Sequence, residues 1–224
     1  YSWERINVQF IEINNVNTTI LEEIEDRFEG KYLGNLLLLD IEKIKASLMQ
    51  HTLIKDVNIR KSFPSTLKIH IKERIPQAVI KMKDYYLIDR EGILLKQISP
   101  EENPGFPIFI DSQNFFVPGE EKLKLGWRCL DSLIQEDLEL VEIVDLSKHE
   151  NVSLKLKNSS TWLILGNRDF AERLASFRNH SHLLHKYGPL EYANLSIDDR
   201  IIIKPVFSSR DRYADDLSPN KEAM

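Results

Sequence analysis

The stretch VNIRKSFPSTLKIHIKERIP, residues 57–76, decides the fold of the N-terminal part of the chain. Apolar and polar side chains alternate on both sides of a central break, with Ile59 before it and Ile69 after it. A period of two is that of a β-strand with one buried face. Pro64 lacks an N–H group, so it fits a turn and would spoil a central strand. The stretch therefore predicts a β-hairpin that turns at residues 63–65.

The outward face of this hairpin is basic, and the cations of the two-stranded ribbon are Arg60, Lys61, Lys68 and Lys72. A basic two-stranded ribbon can enter a DNA groove, whereas solvated lysines on a strand discourage pairing with further strands. The whole chain has 30 Lys and Arg against 35 Asp and Glu, a net charge of −5, so it has no general attraction for polyanions. No aromatic side chains interleave with the cations to stack on bases. We expect a solvated face and no nucleic-acid binding.

Length and composition indicate a globular chain with room for one large domain or two smaller ones. Of the 224 residues, 42% are hydrophobic, and no apolar run approaches the ~20 residues needed to span a bilayer. The single cysteine, Cys129, excludes an internal disulfide and a multi-cysteine zinc site. The chain begins at Tyr1 rather than at methionine, which predicts an upstream segment such as a signal peptide or a membrane anchor.

The residues before the hairpin predict one strand and two helices. Residues 6–13 alternate as a first strand. Thr19 and Glu22 have the spacing of a capping box at the start of a helix that we expect to end at Gly30. Asp40 is the predicted cap of the second helix. With the hairpin, the order is β-α-α-β-β.

The pattern changes near residue 80, where we place a domain boundary. The predicted fold class is α+β. The first domain is followed by a larger mixed β domain, in which helices pack on a sheet. In it we expect a hairpin around residues 90–92, helical stripes at 123–134 and 170–184, and strands at 107–111, 140–146, 152–157, 161–165, 190–196 and 200–206. The predicted domains are residues 1–80, 81–206 and a polar, flexible tail at 207–224.

No motif in the sequence indicates catalysis. His180, His182 and His185 lie close in sequence, but on a helix only the last two share a face, and no acidic residue or cysteine nearby completes a metal shell. A solvated helix end is the favoured interpretation. Asp198 and Asp199 have the character of turn residues between two strands. There is no nucleophile elbow, Walker loop or dinucleotide fingerprint, so we expect no enzyme, and nothing requires a cofactor.

Five segments, in this order, resemble the extracytoplasmic part of the FtsQ/DivIB cell-division family. They are INNVNTTILEEIED, GNLLLLDIEKIKASLMQHTLIKDVNIRKSFPSTLKIHIKERIPQAVI, YYLIDREGILL, LGNRDFAERLASF and YANLSIDDRIIIKP. The first two are similar to the family's POTRA domain and the other three to its β domain. The resemblance covers about residues 6–206.

The resemblance implies a bitopic inner-membrane protein whose periplasmic part is this chain, acting at the division septum. It implies a scaffold without enzymatic activity. Such a scaffold links early and late division proteins by binding FtsB/FtsL-like partners and, through them, an FtsW/FtsI-like septal synthase. The cytoplasmic tail and the transmembrane helix of the family would lie upstream of Tyr1.

The resemblance also implies two sets of partner-binding residues. In the POTRA domain they lie on the second strand and are Asp56, Ile59 and Lys61. In the β domain they lie around and on the last strand and are Asn167, Arg168, Ile197, Asp199, Arg200, Ile201, Ile202, Ile203 and Lys204. The family's usual DLRY segment reads NLSI at residues 194–197, so a tyrosine and an arginine are replaced.

The alternation of apolar and polar residues along the strands bears on two of these assignments. Ile59 shares a face with Val57, so burial competes with partner contact there, and Lys61 is the better surface candidate. Three consecutive isoleucines at 201–203 suit a strand covered on both faces, whereas Pro205 lacks the N–H that a neighbouring strand would use. An edge strand that awaits a partner strand satisfies both observations.

Two other functions compete with the scaffold. POTRA domains also precede β-barrels, so a component of protein transport or outer-membrane assembly is the alternative, although no repeated POTRA pattern or series of barrel strands follows here. A periplasmic enzyme is the third hypothesis, and activity on peptidoglycan fragments that one substitution abolished would support it.

Overall fold

A computed structural model of the chain describes residues 6–29, 33–112, 118–148 and 150–206. The tail expected at 207–224 and the helix end expected at Gly30 lie outside these residues. Within the described part, no helix is both long and apolar enough to cross a membrane. The chain forms two compact units: Tyr1–Gln77 with Leu87–Gln97, and Ala78–Tyr86 with Ile98–Met224.

The first unit has the predicted β-α-α-β-β order. Its elements are β1 (Phe10–Asn14), α1 (Thr18–Phe28), α2 (Ile41–Leu48), β2 (Ile54–Ser62) and β3 (Thr66–Glu73). The three strands form a sheet in the order β1-β3-β2, in which β3 runs parallel to β1 and antiparallel to β2. The first strand therefore begins at Phe10 and not, as expected, at residue 6.

The predicted hairpin is confirmed, and its alternation builds the core of the first unit. Ile59 pairs with Ile69 on the inner face, while Arg60 pairs with Lys68 on the outer face. The inner face packs with the two helices around buried residues: Ile20, Ile24, Leu36, Leu48, Ile54, Val57, Leu67, Ile69 and Ile71. On the outer face, Lys68 forms an ion pair with Glu12 at 3.0 Å.

The caps of the two helices confirm one expectation and correct another. Asp40 caps α2 and accepts a hydrogen bond from the backbone N–H of Lys43 at 3.2 Å, as predicted. The capping box at Thr19 and Glu22 is wrong, because the helix begins two residues earlier than such a box requires and Asn17 is its cap. The side-chain oxygen of Asn17 accepts from the N–H of Ile20 at 3.0 Å, and asparagine is among the most favoured cap residues.

The rest of the chain contributes nine strands and three helices to the described structure. They are β4 (Ala78–Lys81), β5 (Tyr85–Ile88), β6 (Leu94–Ile98), β7 (Ile108–Ile110), α3 (Glu120–Ser132), α4 (Gln135–Leu140), β8 (Val141–Asp145), β9 (Val152–Leu156), β10 (Trp162–Gly166), α5 (Phe170–Leu184), β11 (Leu190–Asn194) and β12 (Ile202–Pro205). The sheet order is β12-β11-β10-β9-β8-β7-β4-β5-β6. The α+β fold class is thus confirmed.

Helices α3 and α5 pack against the middle of this sheet. Trp127 of α3 contacts Phe109 of β7, with ring centroids 4.8 Å apart. Burial raises the pKa of the Cys129 thiol to about 12, so this cysteine is a packing residue and not a thiolate nucleophile. The predicted helical stripe extends too far, because α3 ends at Ser132 and Ile134 is exposed.

Candidate binding site at the sheet edge

Strand β12 lies at one end of the sheet order, as its proline indicated. In the described part of the chain it pairs only with β11, antiparallel, with Asn194 opposite Ile202 and Ala193 opposite Ile203. The strand is shorter than expected, because Arg200 lies in the preceding turn and donates its N–H to the carbonyl of Ile197 at 3.4 Å. Among the described strands, one side of β12 thus remains available for main-chain pairing.

The hydrogen bonds around β12 show which of its peptide groups face the free edge. Val206 donates its N–H to the carbonyl of Pro189 at 2.8 Å, so Val206 faces β11. Peptide groups alternate in direction along a strand, so Ile202 also faces β11, whereas Ile203 and Pro205 face outward. Pro205 therefore lies at a position that faces away from β11, and its missing N–H removes no hydrogen bond between β11 and β12. Ile203 presents both a donor and an acceptor at the free edge.

A groove of ≈ 870 Å³ lies beside the start of β12. Its walls are α5 and the β11–β12 loop. The lining residues are Arg168, Asp169, Glu172, Arg173, Ser176, His180, Leu183, Leu184, Lys186, Tyr187, Leu195, Ile197, Asp198, Asp199, Arg200 and Ile201. Three of these lining residues, Leu183, Tyr187 and Ile197, are each 44–50% exposed. They give the groove a large apolar surface between charged walls.

Asp198 fixes the β11–β12 loop to α5 and to the segment before it through two arginines. Its carboxylate accepts from Arg168 at 2.8 Å and from Arg173 at 2.8 Å. Arg173 is buried and also donates to the carbonyl of Leu165 at 2.5 Å. The buried guanidinium is therefore satisfied by one main-chain and one carboxylate acceptor, and the loop that leads into β12 is held at a defined position.

Backbone geometry at two positions supports this arrangement. Gly166 has φ +78°, and a Cβ atom there would lie 2.7 Å from Arg173 Nη1 and 3.1 Å from Ser196 Cβ. Only glycine fits between the guanidinium and the loop. Asp199 has φ +59°, a left-handed conformation that aspartate tolerates, in agreement with its predicted turn role.

The structure gathers the residues expected in the β domain on one surface of the second unit. Arg168, Ile197, Asp199, Arg200 and Ile201 line the groove, and Ile202 to Lys204 continue along β12. Asn167 is exposed, and its main-chain carbonyl accepts from Arg128 at 2.7 Å. A hydrogen bond to Glu191, at 2.7 Å, raises the pKa of Lys204 and holds this side chain over β11.

The three residues expected in the first unit do not share one face. Asp56 lies on the outer face of β2 and pairs with Lys45 of α2 at 3.3 Å. Ile59 is on the inner face and packs against the core, which favours the burial that alternation predicted. Lys61 is half-buried on that inner face and donates to the carbonyl of Leu37 at 2.9 Å.

Sequence reasoning missed the supporting residues of the β12 site. Asp198 was interpreted only as a turn residue and Arg173 was not considered, because their contact joins positions 25 apart in sequence. The glycine of the LG pair at Gly166 was the one available signal. No group of three His, Cys, Asp or Glu residues among those described is arranged to hold a metal ion.

Both units of the chain match known protein families. Residues 6–74 match the family model "POTRA domain, FtsQ-type", so the first unit is a POTRA domain. Residues 78–198, more than half of the chain, match "Cell division protein FtsQ/DivIB, C-terminal". The chain belongs to the FtsQ/DivIB family of cell-division proteins. This match favours cell division over transport or outer-membrane assembly.

Named relatives agree with this assignment. The chain is 26% identical over 210 residues to cell division protein FtsQ of Geobacter sp. (strain M21), covering 90% of this chain and 77% of that one. It is 32% identical over 93 residues to cell division protein DivIB of Clostridium acetobutylicum, covering 40% and 36%. The solved extracytoplasmic domain of DivIB from Geobacillus stearothermophilus, 15% identical, aligns over 51% of this chain and 97% of its own with a TM-score of 0.35. The assignment rests on the sequence matches.

Proposed function

We propose that this chain is a non-enzymatic scaffold of the division machinery that binds a partner by strand addition at β12. The free edge of β12 is the observation that carries the proposal. An incoming strand would gain main-chain hydrogen bonds from Ile203, and its side chains would meet Ile202, Lys204 and Val206, which are exposed on one face of the edge. The groove beside α5 would receive the residues that precede this strand.

Membership of the family supports the partners that we propose. They are FtsB/FtsL-like proteins and, through them, an FtsW/FtsI-like septal synthase. In this proposal the chain is the periplasmic part of a single-pass inner-membrane protein at the septum. The groove carries both acidic and basic side chains, and Ile197, where the family has tyrosine, offers the partner an apolar contact.

We place a second, recruiting contact on β2 of the POTRA domain, at Asp56 and Lys61. Strand β2 lies at one end of the three-stranded order, with Asp56 on its outer face and Lys61 half-buried on its inner face next to the β2–β3 turn. Asp56 is exposed, whereas Ile59 belongs to the core and contributes by holding the strand in place. A charge reversal at Asp56 should leave the fold unchanged and reduce septal localisation of the full-length protein.

Proline substitutions at neighbouring positions of β12 test the strand-addition proposal. Ile203→Pro removes the donor at the free edge and should weaken binding of an FtsB-like peptide by at least about tenfold, since a ladder hydrogen bond is lost and the ring obstructs the incoming strand. Ile202→Pro is less informative, because Ile202 faces β11 and the substitution damages the sheet itself. Isothermal titration of the purified chain with a synthetic peptide of the partner segment gives the affinity.

Two controls separate loss of binding from loss of fold. Far-UV circular dichroism and the urea midpoint of Ile203→Pro should match those of the parent. Ile197→Glu changes a side chain that is 44% exposed at the groove, without touching the ladder, and should also weaken the peptide. If the peptide binds Ile203→Pro and Ile197→Glu as tightly as the parent, β12 is not the partner site.

A further inference from the structure

Exposed apolar side chains cluster at one end of the POTRA sheet. Phe10 is 61% exposed, Leu38 86% and Phe63 60%, and Leu37 beside them is 49% exposed. They come from three segments that are distant in sequence: the start of β1, the turn at residues 35–38 and the β2–β3 turn. Their exposure is not explained by the core of this unit or by its proposed recruiting contact.

Hydrogen bonds bring these three segments to the same end. Phe10 donates its backbone N–H to the carbonyl of Ser65, two residues after Phe63, at 3.2 Å. Lys61 Nζ donates to the carbonyl of Leu37 at 2.9 Å. A β-bridge joins Asn7 to Asn35. We call the set Phe10, Leu37, Leu38 and Phe63 the apolar tip.

The charge around the apolar tip is positive, although the whole chain is negative. The segments 6–11, 33–39 and 57–67 contain Arg60 and Lys61 and no Asp or Glu. The acids that border them, Glu12, Asp40 and Asp56, are paired with Lys68, Lys43 and Lys45. In the described part of the chain, Arg60 bonds to the neutral side chain of Asn58 and Lys61 to a main-chain carbonyl, so no carboxylate neutralises either cation. The next cation, Lys68, is already paired with Glu12.

We propose that the apolar tip inserts into the surface of a bilayer that contains anionic lipids. Exposed phenylalanine and leucine side chains, flanked by an arginine and a lysine that no described carboxylate neutralises, match the chemistry of the interface between headgroups and acyl chains. A peptide partner fits less well, because Leu37, Leu38 and Phe63 lie on turns, which protrude, and not in a groove. A second copy of the chain would place two positive tips against each other.

Vesicle sedimentation tests this inference and does not depend on the β12 proposal. The purified chain should bind large vesicles of phosphatidylcholine with phosphatidylglycerol more tightly than vesicles of phosphatidylcholine alone, and salt should weaken the binding. Leu38→Ser with Phe63→Ser should weaken binding by at least about tenfold, since each removes an apolar side chain from the interface. Arg60→Gln with Lys61→Gln should remove the preference for anionic vesicles.

Matched controls keep the result specific. Ile75→Ser alters a side chain that is 70% exposed outside the apolar tip and should bind vesicles like the parent. Phe63→Trp should show a blue-shifted emission when anionic vesicles are added. Failure of the parent to sediment with vesicles overturns the proposal, as does equal binding by the double serine variant. A concentration-dependent dimer that the serine variant abolishes, without vesicle binding, would assign the tip to self-association.

Discussion

At the scale of single residues, the β12 site depends on a close approach that only one residue type allows. Gly166 ends β10 directly before the segment that carries Asn167 and Arg168, and the guanidinium of Arg173 lies where a Cβ atom would be. The same guanidinium reaches Asp198 in the β11–β12 loop. The glycine thus has a packing role in addition to its turn role, and it positions the loop that leads into β12.

Gly166→Ala should destabilise the chain by about 2–4 kcal/mol, since it adds a left-handed alanine and a steric clash with Arg173 and Ser196. Gly105→Ala is the matched control, because Gly105 also has a positive φ, +100°, but an added Cβ meets nothing within 4 Å. It should cost only about 1–2 kcal/mol, the backbone term alone. Urea unfolding followed by circular dichroism measures both, and equal losses would contradict the packing role.

At the scale of elements, local patterns predicted what local interactions determine. The β2–β3 hairpin was predictable because its alternation places every core residue on one face, and the turn needed only Pro64 and its neighbours. Helix α4 was not predicted, because six residues show no helical stripe and its buried Asp137 is held by Arg178 of α5 at 2.6 Å. Contacts between distant positions of this kind leave no mark in a short stretch of sequence.

The two faces of the hairpin should respond differently to substitution. Ile69 is fully buried in the core of the first unit, so Ile69→Ala should cost roughly 2–5 kcal/mol. Lys72 is exposed on the outer face of the same strand, and Lys72→Gln should change stability by no more than about 0.5 kcal/mol. Urea titrations of the two variants check this, and a loss for Lys72→Gln comparable to that for Ile69→Ala would contradict the assignment of the faces.

At the scale of the whole molecule, the first unit is discontinuous in sequence. The chain leaves it after Gln77 and contributes Leu87–Gln97 to it later. Within this unit, Arg74 reaches the returning segment and donates to Asp89 at 2.6 Å and to Glu91 at 2.7 Å. Lys55, followed by Arg74, lowers the pKa of Glu91 to about 2. A domain boundary inferred from a change of sequence pattern near residue 80 assigns residues 87–97 to the second domain, because the pattern does not show that this segment packs with the first unit.

Asp89→Asn should therefore destabilise the POTRA domain, even though residue 89 lies beyond the segment that matches the POTRA family. Asp89 is buried, and it accepts from Arg74 and from the backbone N–H groups of Glu91 and Ile93, at 2.9 Å each. The substitution leaves the arginine without its buried counter-charge and replaces acceptor capacity by a donor, so the expected cost is about 2–4 kcal/mol.

Hydrogen exchange in residues 54–73 should accelerate in this variant. Asp84→Asn, at an exposed turn position, should leave that exchange unchanged. Protection of residues 54–73 that is identical in the parent and in Asp89→Asn would show that the returning segment contributes nothing to the stability of the POTRA domain.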